Sequence, residues 1–201
     1  MYGRFTSTPT STVRELLVWS YANLAMAHAA VEDNAERYGP GYYAIRTRAH
    51  KGFLTDQMSI RSITDDERLK MTLPQACCYC GSKERLSIDH LISRKRGGPD
   101  IGENIVWACG RRNSSKGATD MLEWFKKKEQ FPPLLLLRRY PKSIYQYCIE
   151  HGLLDLSVCE IQVPYFSLTA IPLNFPAPSK LRLWIIPLDE EVPKPSQPGA
   201  C

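Results

Sequence analysis

The chain has 201 residues, of which 43% are hydrophobic and 23% charged, and its formal net charge is +5 at pH 7. This composition is ordinary for a globular protein, and no apolar run reaches the roughly 18–20 residues of a membrane-spanning helix, so we expect no integral membrane protein. The polar start of the chain, up to Thr12, lacks the apolar stretch of a secretory signal. We therefore expect a cytoplasmic protein, in which seven cysteines favour free thiols or metal ligands over disulfides.

The N-terminal part of the chain is predicted to be helical. Thr12 and Glu15 have the spacing of a capping box, which marks a helix start. Apolar residues then recur at three- and four-residue intervals as far as the Gly39-Pro40-Gly41 turn. We assign residues 1–70 to an N-terminal helical region.

The next segment, residues 71–130, combines turn residues with short β-like runs. Arg85–Ile88 and Asn104–Trp107 are the predicted strands, with a glycine-rich loop between them, and helix-forming residues return from Asn113. From residue 77 to residue 130, eleven basic residues stand against seven acidic ones. This local excess accounts for nearly all of the net charge and indicates a polyanionic partner.

The C-terminal part is rich in proline. Pro132-Pro133 interrupts the chain, and Pro141 fits the first turn of a helix that ends near His151, within a helical extension over residues 131–160. Eight of the fifteen prolines lie in residues 161–201. We predict an extended tail there, as strands or as a wrapping arm, with disorder from Pro193 onward.

Taken one at a time, the polar motifs of the central segment are modest. Cys77 and Cys80 have a spacing that suits a tetrahedral metal, although such a pair also occurs by chance or as a redox pair. Asp89 and His90 follow a predicted strand, and they place a hard oxygen ligand beside a base that titrates near neutral pH. A single Asp-His pair is usually only a surface feature.

The order of the motifs is more specific than any one of them. It resembles the HNH endonuclease family, whose ββα-metal fold has two antiparallel strands and a helix around one divalent ion. The resemblance covers about residues 77–120, and it implies a small ββα-metal core. Together with the predicted flanking helices and the proline-rich extended C-terminal tail, this core makes the expected fold class α+β. The residues that carry it are Cys77-Cys78-Tyr79-Cys80-Gly81, Asp89-His90, Gly97-Gly98, Glu103-Asn104, Cys109, Asn113 and Lys116-Gly117.

The resemblance also implies roles for individual residues. His90 is the expected general base, and Asn104 is expected to hold the loop that orients it. Asp89 and Asn113 are expected to hold Mg²⁺ or Mn²⁺ through oxygen atoms. The implied products carry a 5′-phosphate and a 3′-hydroxyl. Nucleic-acid phosphates are expected to contact the basic side chains of the loop and of the following helix, which are Arg94, Lys95, Arg96 and Lys116.

One position departs from the family pattern. Members that carry a structural Zn²⁺ have a second thiol pair just before the last motif residue, but Arg112 stands here in place of the fourth cysteine. Arginine cannot bind zinc, so three thiols remain, those of Cys77, Cys80 and Cys109. Whether they bind Zn²⁺ is left open, and Cys78 is a substitute ligand only if its loop rearranges.

The leading hypothesis is a metal-dependent endonuclease that cuts DNA, or RNA, with low or modest sequence specificity. One alternative is a non-catalytic module that uses the same fold to bind nucleic acid. Another is a nuclease subunit that acts within a larger complex, with the N-terminal helix or the C-terminal tail contacting a protein partner. The intact Asp89, His90 and Asn113 favour the enzyme, whereas the missing fourth thiol favours a module without turnover.

Overall fold

The computed structural model describes residues 12–60, 75–161 and 165–185. Residues 1–11 of the polar start and the predicted disorder from Pro193 onward lie outside these ranges. Within them, no helix is both long enough and apolar enough to cross a bilayer.

Two helices form the N-terminal part, α1 (Val13–Glu32) and α2 (Pro40–Leu54). The predicted capping box is confirmed: the Thr12 hydroxyl accepts from the Glu15 amide at 3.2 Å, and the Glu15 carboxylate accepts from the Thr12 amide at 3.1 Å. The predicted turn at residues 39–41 is wrong in part, because it opens a helix. Pro40 occupies the first helical position, where its lack of an N–H has no cost.

The central segment is an antiparallel hairpin followed by a short helix. Strands β1 (Leu86–His90) and β2 (Ile105–Cys109) pair with His90 opposite Ile105, and α3 (Gly110–Lys116) follows directly. Each strand begins one residue later than predicted. Arg85 has a left-handed φ of 47°, and Asn104 belongs to a 3-10 turn, so neither can start an extended strand. Helices and a two-stranded sheet make the fold α+β, as expected.

Two more helices follow, α4 (Met121–Lys127) and α5 (Leu134–Glu150). The expected start of α5 at Pro141 is wrong, since the helix begins seven residues earlier and contains that proline in its interior. Proline cannot donate to the carbonyl four residues before it, which usually breaks a helix. Here the preceding residues, Leu134 to Leu137, are all buried in the core, and this packing holds the first two turns in helical form.

The part of the tail that the structure describes, residues 165–185, contains two 3-10 turns and no strand. It packs on the core through Phe166, Ile171 and Trp184. The same core cluster includes residues of α1, of the hairpin, of α4 and of α5, and a smaller cluster lies between α1 and α2. The hairpin is therefore supported by helices and by the tail.

Candidate functional site

The side chain of Asp89, on β1, contacts Lys116 of α3. Asp89 is 6% exposed, because the alternation of side chains along β1 turns it away from solvent. Its Oδ2 accepts a hydrogen bond from the Tyr79 hydroxyl at 2.7 Å. Its Oδ1 accepts from the Lys116 ammonium at 3.1 Å and from the His90 amide at 2.8 Å. The carboxylate is thus bound on both oxygens by the protein itself.

Lys116 is buried, although it was expected among the phosphate contacts. It is 1% exposed, and besides Asp89 its ammonium donates to the carbonyl oxygen of His90 at 2.6 Å. The structure therefore gives this lysine internal partners at the strand end. A contact with phosphate requires the ion pair to open, and it stays a prediction.

His90 stands at the end of β1 and faces the loop that follows. Its Nε2 lies 2.9 Å from Oδ1 of Asp100, and the imidazole is 16% exposed while the carboxylate is 63% exposed. The hydrogen bond with His90 lowers the pKa of Asp100. Sequence reasoning missed Asp100. The signal that could have found it is a carboxylate two residues after the Gly97-Gly98 pair, where the loop can fold back on the strand.

Asn104 closes that loop. It is fully buried, its Oδ1 accepts from the Ile92 amide at 2.8 Å, and its Nδ2 donates to the carbonyls of Ile92 at 2.9 Å and Pro99 at 2.8 Å. Gly98 packs equally closely, because a Cβ there would lie 1.9 Å from the Ile92 oxygen. These contacts bring Pro99 back beside the end of β1. The next residue, Asp100, can therefore contact His90.

Asn113, on α3, contacts the strand one and two residues before Asp89. Its Nδ2 donates to the Ser87 hydroxyl at 3.1 Å and to the Ile88 carbonyl at 3.2 Å. This orientation leaves the amide oxygen as the acceptor that a cation can use, since an amide has one donor arm and one acceptor arm.

The side-chain oxygen atoms of Asp89 on β1 and Asn113 on α3 are of the chemical type that binds a hard divalent cation. A carboxylate offers about four lone-pair positions, and three donors from the protein contact Asp89, so acceptor capacity remains on Oδ2. Asn113 adds a neutral oxygen. Carboxylate and amide oxygens are the ligands that Mg²⁺ and Mn²⁺ prefer. The charge of Lys116 lies at the same carboxylate and already compensates it in the absence of an ion.

The three predicted thiols come together at the opposite end of the hairpin, where Cys109 pairs with Leu86. The sulfur atoms of Cys77, Cys80 and Cys109 all lie within 4.8 Å of one another, and the Cys80–Cys109 distance is 3.7 Å. An edge of a zinc–sulfur tetrahedron with bonds of about 2.3 Å is about 3.8 Å long, so the spacing suits zinc. Cys78 is buried but is not part of this group.

Arg112 lies beside the thiol cluster, where the zinc-bearing pattern has a fourth cysteine. Burial raises the pKa of the Cys80 thiol, but hydrogen bonds from the Ser82 backbone, Cys77 and Arg112 outweigh it and lower the pKa to about 7. The Arg112 Nε is buried and has no hydrogen-bond partner among the described residues. Three sulfur ligands are therefore available, and a guanidinium takes the place of the fourth.

Residues 77–119 match the family model of the HNH endonucleases. The match covers about a fifth of the chain and includes the hairpin, α3 and all three clustered thiols. No curated protein and no solved structure matches the chain. An HNH domain indicates a nuclease, that is, a hydrolase that acts on nucleic acid, and HNH nucleases commonly use divalent metals.

The basic side chains expected to contact phosphate in the loop between β1 and β2 differ in exposure. Arg94 and Lys95 are exposed in a 3-10 turn, whereas Arg96 is half-buried and paired with Glu123 at 3.4 Å. The first two side chains are therefore the more accessible ones.

An apolar pair on the HNH hairpin was not predicted from the sequence. Ile88 and Trp107 face each other across the strands and are 55% and 40% exposed. By the alternation of β1 they share a face with His90. The signal was present in the sequence as an aromatic residue in the second predicted strand, but only the register shows which face it occupies.

Proposed function

We propose that this protein is a metal-dependent endonuclease that hydrolyses phosphodiester bonds of DNA or RNA, with His90 as the general base. The observation that carries the proposal is the arrangement at the end of β1. There a histidine held by Asp100 directly follows Asp89, and Asn113 of α3 contacts the same strand at Ile88. A base and a hard-cation site within one strand–helix junction are what metal-assisted hydrolysis of a phosphodiester needs.

The contact with Asp100 assigns the two ring nitrogens of His90 to different tasks. When Nε2 carries the ring proton and donates a hydrogen bond to the Asp100 carboxylate, Nδ1 is the nitrogen with a free lone pair. Nδ1 then accepts the proton of the water that attacks phosphorus. Asp100 keeps the ring in this tautomer and stabilises the charge that the ring gains.

Asp89 and Asn113 would hold Mg²⁺ or Mn²⁺. When bound, such an ion stabilises the negative charge that develops on the phosphate and on the leaving oxygen. Until then, Lys116 compensates the charge of the buried Asp89 carboxylate. Asn104 keeps the loop closed, and the loop in turn holds Asp100 against His90.

Cys77, Cys80 and Cys109 would hold a structural Zn²⁺ with a fourth ligand from solvent. Zinc at this place would join the start of the segment to the end of β2, since the thiols come from both. A site with three thiolates should bind zinc more weakly than one with four, because each anionic sulfur contributes to the affinity.

A second candidate function is binding without turnover. The observation that favours it is the Asp89–Lys116 ion pair, in which an ammonium compensates the carboxylate in place of a metal ion. A module of this kind would bind nucleic acid through Arg94 and Lys95, and this binding would not depend on a divalent cation.

Plasmid nicking separates the two functions. The parent protein should cleave in Mg²⁺ or Mn²⁺ and not in EDTA. His90→Ala should lose about 10²–10⁴-fold in rate while still binding DNA. The matched control is His28→Ala, which removes an imidazole from α1, where it pairs with Glu32 on the same helix.

Undiminished cleavage by His90→Ala would exclude His90 as the base. A parent protein that binds nucleic acid but cleaves neither DNA nor RNA with any of these ions would establish the binding module instead.

A further inference from the structure

A cavity of about 440 Å³ lies between the thiol cluster and the C-terminal segment, outside the proposed catalytic site. Three of its lining residues are cations, namely Arg112 from α3 and Lys180 and Arg182 from the tail. No carboxylate among the described residues lines it. We propose that this cavity binds a phosphate group.

The charge of the lining favours an anion. Three cationic side chains meet one ionisable thiol, that of Cys80. Even with this thiol ionised, positive charges exceed negative ones by two. A larger cavity of about 750 Å³ beside α5 offers a contrast, because Glu103 and Glu150 line it together with a single lysine. Only the smaller of the two cavities combines concave shape with an excess of positive charge.

Arg112 supplies a buried donor. Its Nε is buried and has no hydrogen-bond partner in the described part of the chain. A buried N–H without a partner is costly, so such donors are normally paired with protein, water or ligand. The guanidinium fork matches the oxygens of a phosphate group, to which arginine often binds through two parallel hydrogen bonds.

The two tail cations are held by backbone contacts. The amides of Leu134 and Leu135, at the start of α5, donate to the carbonyls of Arg182 and Leu183 at 3.0 and 3.1 Å. Lys180 ends a 3-10 turn whose last hydrogen bond, from the Leu181 amide to the Pro178 carbonyl, is 2.9 Å long. The tail thus has fixed backbone positions from which two long side chains reach the cavity.

Two sources of phosphate fit this chemistry. One is the backbone of the nucleic acid itself, because Arg112 directly precedes the proposed metal ligand Asn113 on α3. In this form the inference rests on the proposed function and extends the substrate surface onto the tail. The other source is free phosphate, which requires no nuclease activity.

The test uses the full chain carrying His90→Ala, so that substrate is not consumed. Lys180→Gln/Arg182→Gln removes two exposed cations from the cavity, and Arg48→Gln/Lys51→Gln removes two exposed cations from α2 as the matched control. Binding of a labelled DNA duplex is followed by anisotropy over a range of salt concentrations. Binding of inorganic phosphate at constant ionic strength is followed by the amide signals of Gln130 and Leu181, which line the cavity.

If the nucleic-acid backbone is the source, the cavity variant should lower the slope of log K against log salt by about 1.8, because each phosphate that the protein neutralises contributes about 0.9, and the control should not. If free phosphate is the source, it should saturate the shifts of Gln130 and Leu181 in the parent background and not in the cavity variant, with the duplex slope unchanged. An unchanged slope together with no saturable shift would overturn the inference. Because none of these readouts requires cleavage, a protein that fails to cleave can still confirm the cavity, and a cleaving protein can still refute it.

Discussion

The Lys116 ammonium lies 3.1 Å from Oδ1 of Asp89, with side chains that are 0% and 7% exposed. Removing two charges from water is costly, and a buried pair recovers that cost only with close contact and further hydrogen bonds. Here Tyr79 and the His90 amide supply bonds to the carboxylate, and the His90 carbonyl supplies one to the ammonium. The pair therefore joins α3 to the end of β1 at the point where the proposed base stands.

Lys116→Met should lower the free energy of unfolding by about 3–5 kcal/mol, because it leaves the buried Asp89 carboxylate without its counter-charge. Lys127→Met, on the exposed end of α4, is the control and should change stability by about 0.5 kcal/mol or less. Urea denaturation measures both. Adding Asp89→Asn to the first variant should recover part of the loss. Equal stability of the two lysine variants would mean that the ion pair does not hold α3 in place.

The Asp100 carboxyl should titrate below the usual range of an aspartate, since its hydrogen bond with His90 lowers its pKa. A lowered pKa means that the carboxylate form, and with it the contact, persists as the pH falls and is lost only below that pKa. In His90→Ala the pKa of Asp100 should rise toward the usual value, because the contact that lowers it most is removed. Carboxyl carbon NMR shifts against pH measure this. Asp155, whose pKa is lowered by Arg14, is the internal control and should not move.

Gly98→Ala should destabilise the protein by about 3 kcal/mol or more, because the added Cβ would lie 1.9 Å from the Ile92 oxygen and the backbone of the loop would have to shift. The shift would also separate Asp100 from His90, so cleavage should fall as well. Gly41→Ala is the control, since nothing lies within 4 Å of its Cβ and alanine is the better helix former. A stable, fully active Gly98→Ala variant would show that the loop does not need this close approach.

Arg112→Cys should raise both zinc content and melting temperature, because it adds a fourth sulfur beside Cys77, Cys80 and Cys109. Elemental analysis and thermal unfolding measure the two effects. Ser114→Cys, an exposed position on the same helix, is the control for an added thiol. A parent protein that already holds one tightly bound zinc per chain would contradict the expected weakness of a three-thiol site. Absence of zinc from both proteins would leave the thiols as an apolar cluster.

Cys148 should resist alkylation in the native protein at pH 8, whereas the exposed Cys159 should react readily. Burial raises the pKa of Cys148 to about 12, and only the thiolate is a good nucleophile. Since the unfolded chain ionises this thiol first, its contribution to stability is complete below about pH 9 and declines as the pH rises toward 12. Mass spectrometry after timed labelling measures both rates. Equal rates would show that Cys148 is accessible.

Local patterns were sufficient for the elements whose partners are near in sequence. The capping box of Thr12 and Glu15 spans four residues, and the two strands and α3 were recognisable from turn residues and motif order within about forty positions. The grouping of the three thiols followed from the same order. Such features depend on contacts that the segment makes with itself, so the sequence around them contains most of the information.

Elements that depend on distant partners could not be predicted in this way. The sequence predicted that α5 starts at Pro141. However, the carbonyls of Arg182 and Leu183, nearly fifty residues after the helix start, accept hydrogen bonds from the amides of Leu134 and Leu135. These bonds allow the helix to begin earlier. A helix terminus must pair its free amides, and here the pairing group comes from the tail.

In the candidate site, too, the residue types could be predicted from the sequence, but their contact partners could not. The sequence by itself determined which residue types we propose for the chemistry, because the order of Asp89, His90 and Asn113 along the chain matches the family pattern. Only the tertiary structure decided their partners, which are Lys116 for the carboxylate and Asp100 for the imidazole. An ion pair depends on distance and burial, and neither is defined until the loop and α3 have closed around the end of β1.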